Sequence, residues 1–370
     1  RSAGLDFWTS LLYSFGGSLL WEIAGEATPP SLNDQINTSI GGAFLGEAAF
    51  RMASWLLEDG GESPGFWREL GAAVLSPPTG FNRLAFGDRF RAVFPSRRPA
   101  VLYRLRAGAT YTAAVDDAAP SLRVRRAEGS LEAAVDYGLP GRPGYRYTRP
   151  FDYFHVDFRA VPNARSAADA IEALSVRGLL AGRPWAVGSD LRGVWGLFGN
   201  YDYLSPQPFR VSTTALSAGT VGQWWLAPGL ALQGTALGGL GLGAAGTVGD
   251  RAERDYHYGV TPQTLLDLRL LWADRVMLEA TGRQFYVAGT SSGTGIRTGG
   301  FGQEVILRGG LGLTVRLAGP HALELRYLAS SRNAGSPDLR DRHQSVQAVT
   351  LSYTFVSDPH LGAVDWRPDR

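Results

Sequence analysis

From Gln303 to Leu317 the chain alternates. Val305, Leu307, Leu311, Leu313, Val315 and Leu317 fall on one parity, and Glu304, Arg308, Thr314 and Arg316 on the other. A period of two puts successive side chains on opposite faces of a strand. The pattern recurs in Leu323, Leu325 and Tyr327 against Glu324 and Arg326, and again in Val349, Leu351, Tyr353 and Phe355 against Thr350, Ser352 and Thr354. An apolar face and a charged face on strand after strand is what a membrane barrel requires, with lipid outside and water or a polar plug inside.

The same alternation, read with turn residues as punctuation, predicts about twelve antiparallel strands and an all-β transmembrane barrel over residues 96–356. The first carries Tyr103, Leu105, Ala107, Ala109 and Tyr111 against Arg104, Arg106, Thr110 and Thr112; the second Leu131 to Tyr137; the third Phe154, Val156 and Phe158 against His155, Asp157 and Arg159. Nine more fall near 171–182, 185–200, 208–225, 229–247, 256–272, 275–289, 301–317, 320–331 and 343–356. Short links at Gly182–Pro184, Leu226–Pro228, Ala273–Asp274 and Ala318–Gly319 alternate with long ones, as periplasmic turns alternate with extracellular loops. Two links break the rule: Asp116–Ala119 is short where a long one is expected, and Leu139–Tyr147 is long where a short one is expected.

Residues 1–95 read as helices. Phe7–Glu26 is mostly apolar and ends at Thr28-Pro29-Pro30; Ser31 with Asp34 fits a capping box for a second helix toward Leu57; Ser63 and Pro64 open a third that ends at Pro77-Pro78. Gly42 and Gly46 form a small-residue face on the second helix, and Glu47 and Arg51 stand four apart, either as a surface pair or as charges meeting a lumen wall. This segment is expected to plug the barrel or to cap it from the periplasm. Residues 357–370 are expected to form a periplasmic tail.

Composition narrows the class. The apolar share is 44% and the mean hydropathy −0.09, and the apolar run Phe7–Trp21 is shorter than the roughly 20 residues a spanning helix needs. Cysteine is absent, which excludes disulfides and thiolate sites, and a net charge of +2 gives no electrostatic case for nucleic acid. All basic residues are arginine. No signal peptide is visible, so Arg1 reads as the start of a mature or trimmed chain, because a barrel must be exported.

The segments Ser18-Leu-Leu-Trp-Glu-Ile-Ala-Gly-Glu26, Pro30-Ser-Leu-Asn-Asp34, Gly41-Gly-Ala-Phe-Leu-Gly-Glu47 and Gly80-Phe-Asn-Arg83, followed by a barrel-like part, resemble a family of bacterial envelope proteins known only as a domain of unknown function. The resemblance implies a bacterial outer-membrane location and no established activity. The end of the last strand, with Tyr353 and Phe355, resembles the signal read by the barrel-assembly machinery. Expected partners are that machinery during biogenesis, with outer-membrane lipid and lipopolysaccharide thereafter.

Candidate chemistry is thin. Gly241–Gly246 spells a dinucleotide fingerprint within a strand that opens no helix, and Gly289–Gly293 spells a nucleophile elbow within a loop. No cofactor is expected, and the five histidines are too scattered for a metal motif. His257, Asp202 and Ser205 have the residue types of a hydrolase or acyltransferase site at the extracellular rim, acting on outer-leaflet lipid. His155 with Asp157 is a second pairing, deeper in the wall. The leading expectation is a plugged barrel with a structural, transport or lipid-handling role.

Two lumen features are expected. Arg104, Arg159, Arg269, Arg283, Arg308, Arg316 and Arg326 share strand faces with Asp157, Asp267, Glu279, Glu304 and Glu324, which predicts a cross-strand ion network. Gly239, Gly241, Gly243, Gly310 and Gly312 face the same way. Such gaps suggest that a second backbone, that of the helix bearing Gly42, Gly46, Glu47 and Arg51, approaches there, or that the strands curve.

Overall fold

The structure, a computed structural model, describes residues 1–25, 35–61, 64–87, 93–117, 122–162, 170–206, 208–247, 256–292, 302–336 and 339–367. Twelve antiparallel strands close into a barrel: β1 (Val101–Asp116), β2 (Leu122–Tyr137), β3 (Phe154–Ala160), β4 (Ile171–Val187), β5 (Leu191–Leu204), β6 (Phe209–Ala227), β7 (Leu230–Thr247), β8 (Tyr256–Trp272), β9 (Val276–Ser292), β10 (Gln303–Ala318), β11 (His321–Ser336) and β12 (Leu339–Val356). Closure runs through β1 and β12, in register from Arg104 opposite Val356 to Asp116 opposite Gln344. No edge is left there, which hydrocarbon would penalise heavily.

Parity decides what faces lipid. Leu105, Leu311, Leu325, Leu351 and Tyr353 are exposed on the outer wall, and Trp224 and Trp272 stand exposed near the short turns. The residues between them, among them Arg104, Arg106, Thr314, Glu324 and Thr350, are buried inside. Among the described residues no helix is long and apolar enough to cross a membrane.

Two element boundaries differ from the sequence reading. The β4–β5 turn lies at 188–190, with Gly188 at positive φ, and not at Gly182–Pro184. Pro184 sits inside β4 because β3 has already ended beside it, and proline is tolerated on an edge that has no ladder to join. That short strand also explains the long link at the short-turn end: β3 begins at Phe154 opposite Gly178, partway along β4, and residues 138–153 fill the wall beneath it. Phe151 donates its N–H to the Leu179 carbonyl, and its ring lies where a side chain on Gly178 would be.

The N-terminal unit has four α-helices: α1 (Phe7–Ala24), α2 (Gly42–Glu58), entered through a π-helical stretch Gln35–Gly41, α3 (Phe66–Leu75) and α4 (Pro77–Phe86). Asp6 caps α1 by accepting from the Thr9 N–H at 3.1 Å. Pro77 and Pro78 end α3 and also begin α4, since proline suits a first helical turn. Ser31–Asp34 and Ser63 lie outside the described residues.

These helices do not enter the lumen. Phe44 of α2 packs where a side chain on Gly199 would be, and Gly41 lies against Tyr201 and Thr214. Gly199, Tyr201 and Thr214 are outward positions, because Asn200, Asp202 and Thr213 between them are buried inside. One apolar cluster joins Phe7, Phe44 and Ala48 of the helices to Tyr137, Phe154, Val156, Val176 and Leu180 on the outer wall over β2, β3 and β4. The lumen glycines have other neighbours. A Cβ at Gly239 or Gly241 would lie 2.3 and 2.1 Å from the backbone oxygens of Leu216 and Thr214 on β6, and one at Gly243 would meet Thr213 and Thr261. Gly310 adjoins Thr281 and Leu328, and Gly312 adjoins Glu279. Close approach of adjacent strands, and room for wall side chains, account for these glycines. Gly42 and Gly46 have open space within 4 Å.

Replacing Gly241 by valine is expected to lower stability by about 1–3 kcal/mol through overpacking. Gly129→Ala, with nothing within 4 Å of the new carbon, stays within about 0.5 kcal/mol. Thermal melts in detergent micelles check the pair.

Candidate functional site

The lumen is the site that the sequence builds most deliberately, and it is filled in three layers. At the short-turn end the chain after β12 folds back into the mouth. Leu361, Val364 and Trp366 pack with inward residues from around the ring: Leu102, Trp225, Ala231, Leu271, Met277, Ala322 and Val356. Polar atoms of the returning backbone are met by side chains. Gln223 donates to the Val364 carbonyl at 2.7 Å and accepts from its N–H at 2.9 Å, while Gln233 donates to the Gly362 carbonyl at 2.7 Å. Trp366 donates its indole N–H to Ser189 O, and Arg316 donates to the carbonyls of Asp274, Asp358 and Pro359. Residues 358–367, within the stretch that the sequence reads as a periplasmic tail, are therefore a stopper in the mouth.

The middle layer is ionic. Arg269 on β8 reaches Asp136 on β2 at 2.6 Å, spanning opposite walls of a twelve-strand ring, and also Glu279 at 3.1 Å. Arg104 donates to Glu279 at 2.6 Å, and Arg106 to Glu324 at 2.7 Å. Arg326 joins Glu132 and Glu324, Arg159 joins Glu172 at 2.8 Å, and Arg283 of β9 bonds Asp202 of β5. Asp267 lies 3.8 Å from Arg177. Arg308 faces the same space and contacts Ser330 at 3.4 Å, with no carboxylate paired to it among the described residues. A cavity of about 150 Å³ remains here, bordered by Asp157, His155, Arg177 and Arg308, with room for several waters.

Toward the long loops the inside turns apolar again. Leu204, Phe209, Val211, Phe285, Val287 and Ile306 form one cluster across several strands, beside the fully buried pair Arg332–Glu304 at 2.8 Å. Arg332 also donates to Gln344 and Thr247.

Sequence reading placed Arg104, Arg159, Arg269, Arg283, Arg326, Glu279, Glu304 and Glu324 in the lumen, and the structure brings each to a partner there. Arg316 stands at the mouth on carbonyls instead. Glu132, Asp136, Glu172 and Arg332 carry as much of the network yet were not singled out. Parity would have found Glu132 and Asp136, which alternate with Leu131, Val135 and Tyr137.

The rim triad is not assembled. Asp202 is turned inward to Arg283, and Ser205 accepts from Arg210 at 3.3 Å. His257 pairs along the backbone with Ala245 and Ser292; register from Leu204 through Val211 and Ala245 puts it three strand spacings away, about 14 Å. Its side chain lies outside the described residues. Deeper in the wall, His155 pairs with Asp136 and not with Asp157. The Nδ1 to Oδ1 distance is 2.7 Å, and no hydroxyl is hydrogen-bonded to the ring among the described residues. His155 is thus held by a carboxylate of the neighbouring strand within the lumen's hydrogen-bond network. No three histidine, aspartate or glutamate residues gather as metal ligands among the described residues. The helix charges form their own lock outside the barrel: Arg51 bridges Glu47 at 2.8 Å and Asp152 at 2.9 Å, all three buried.

Residues 1–78 match the model of a family described as a domain of unknown function, DUF3943. No curated protein matches the chain. Among solved structures, a deltaS2 mutant of the TodX monoaromatic hydrocarbon channel is 9% identical with a TM-score of 0.27, covering 78% of this chain and 94% of that one. The outer membrane protease OmpT from Escherichia coli is 5% identical with a TM-score of 0.27, over 69% and 96%. The KdgM porin is 9% identical with a TM-score of 0.25, over 67% and 99%. At such values the likeness bears on neither activity nor substrate.

Arg332→Met is expected to cost about 3–5 kcal/mol because it removes the guanidinium that pairs with Glu304 in a buried layer, and adding Glu304→Leu should restore much of that loss. Urea unfolding of the two single variants and the double variant measures the coupling.

Proposed function

We propose that the protein is a bacterial outer-membrane barrel, closed at rest, with a structural or lipid-handling role and not that of a diffusion pore. The observation that carries this is the occupied lumen: a returning segment in one mouth, wall-to-wall ion pairs in the middle, and an apolar layer toward the long loops. A pore needs a continuous wet path. Here the ion pairs of the middle layer leave a cavity of about 150 Å³, with packed side chains toward either end. The outer location is supported by the exposed apolar wall and by turn lengths, since the short turns lie at the end where β1 begins and β12 finishes.

On this reading the partners are outer-membrane lipid and lipopolysaccharide along the wall, and the barrel-assembly machinery during insertion. Tyr353 and Phe355 near the end of β12 suit the latter. An outer-leaflet hydrolase finds no support in the positions of Asp202 and Ser205.

In planar bilayers the intact protein should show no steady conductance. Deleting residues 358–370 removes one of the packed layers and should give brief openings together with greater uptake of large antibiotics by cells. A stable ohmic current through the intact protein would overturn the closed-barrel reading.

A further inference from the structure

The helices show an inside-out distribution of polar groups. Gln35 donates to the Phe15 carbonyl and to Ser39, Asn37 accepts from Thr214 of the wall, and Arg51 donates to both Glu47 and Asp152 in full burial. What faces outward is apolar. Leu12 of α1 is 71% exposed, Trp67 of α3 78% and Leu84 of α4 87%. Along α1 the charged residue is Glu22, and it is buried. In water such a surface would be a large unpartnered patch. In hydrocarbon it is the expected arrangement, because every polar group must find its partner within the protein.

The docking height supplies the second observation. Phe44 of α2 sits on Gly199, which is in register with Leu216 and, through it, with Leu240. Both leucines point out of the barrel and are 49% and 57% exposed, as residues facing lipid should be. The helices thus touch the wall at the level of its lipid-facing side chains. Among the described residues of the unit the charges at the surface are Asp6, at the N-terminus of α1, and Asp59, Arg68 and Glu69 around the α2–α3 connection, where Arg68 pairs with Asp59 and the largely buried Arg83 of α4's last turn pairs with Glu69.

We infer that the N-terminal unit is immersed in the bilayer, with the outer faces of α1, α3 and α4 covered by lipid acyl chains. It lies against the barrel over β3 as a fixed lipid-binding surface. Among the described residues no helix of the unit is long and apolar enough to cross, and α1, at 18 residues, is about 27 Å long, so on this reading the described helices lie within the membrane without spanning it. This rests on the barrel being membrane-spanning, and names the lipid surface through which it acts.

The chain has no cysteine, so single substitutions give single labels. Leu12→Cys and Leu84→Cys, labelled with an environment-sensitive fluorophore and reconstituted into phosphatidylcholine vesicles, are compared with Leu325→Cys on the barrel wall and Asp365→Cys in the exposed part of the returning segment. Acyl chains brominated at mid-length are the quencher. Quenching at positions 12 and 84 within about twofold of that at 325, with little at 365, is the expected result. If 325 is quenched while 12 and 84 resemble 365, the immersion fails and the barrel reading stands; if 325 is not quenched either, the barrel reading itself fails. Disulfide dimers through position 12 in unlabelled protein, with no lipid quenching there, would assign the face to a second copy of the chain and overturn the proposal. All four positions are at the surface, and heat-modifiable mobility on gels confirms that each variant has folded.

Discussion

The ion pairs that cross the lumen are the interaction on which the rest of the molecule depends. A ring of twelve strands encloses more width than short inward side chains can fill, and an unfilled interior would be either a water channel or a void. Arginine and glutamate are long enough to meet from separate walls, as Arg269 and Asp136 do between β8 and β2, or Arg104 and Glu279 between β1 and β9. The exclusive use of arginine matters, because one planar guanidinium can hold two carboxylates at once where an ammonium offers only a point charge. Arg269 and Arg326 each do this. Such pairs add little net stability over an apolar fill, but they fix which walls face each other, since a slip of one residue would send every charge into lipid.

With charge gathered inside, the outer wall is free to be apolar, and the place of the helices follows from the single interruption in that wall. β3 has seven residues where its neighbours have sixteen and seventeen. The irregular segment beneath it brings Asp152 and Phe151 to the outer side. Arg51 fastens to Asp152 and to the Pro150 carbonyl, and Phe7 and Phe44 close over Phe151. A short strand, a buried salt bridge and three phenylalanines are thus one joint, which seals the weakest part of the cylinder with helices from the segment that matches the family model.

Much of this was legible in the sequence, and the failures have physical causes. Alternation from Gln303 to Phe355 carried the strands because lipid and lumen impose opposite demands on successive residues, and it carried Arg308, Glu324 and Arg326 to the correct face. It failed at Pro184, which looks like a turn until the missing neighbour on β3 is known. The inward glycines were legible as gaps but not as to what fills them: an adjacent strand, or a wall side chain such as Glu279 beside Gly312, leaves the same sequence trace as an inserted helix. Glu47 and Arg51 were rightly singled out as a pair, yet their spacing says nothing of which side of a barrel wall they occupy. Asp202 and Ser205 had suitable chemistry, but strand register, not chemical type, decides what a residue can reach.

The segment that stoppers the mouth also imposes an order on assembly. It follows directly on β12, and its seat is built from residues of β1, β6, β7, β8, β9, β11 and β12 together. No partial sheet offers that seat. Leu361, Val364 and Trp366 can be buried only once β12 has zipped to β1 and the ring is complete, so the act that shuts the cylinder comes after the act that forms it. Until then the lumen is open at that end to solvent, and Gln223, Gln233 and Trp225 are left without the backbone they are shaped to hold.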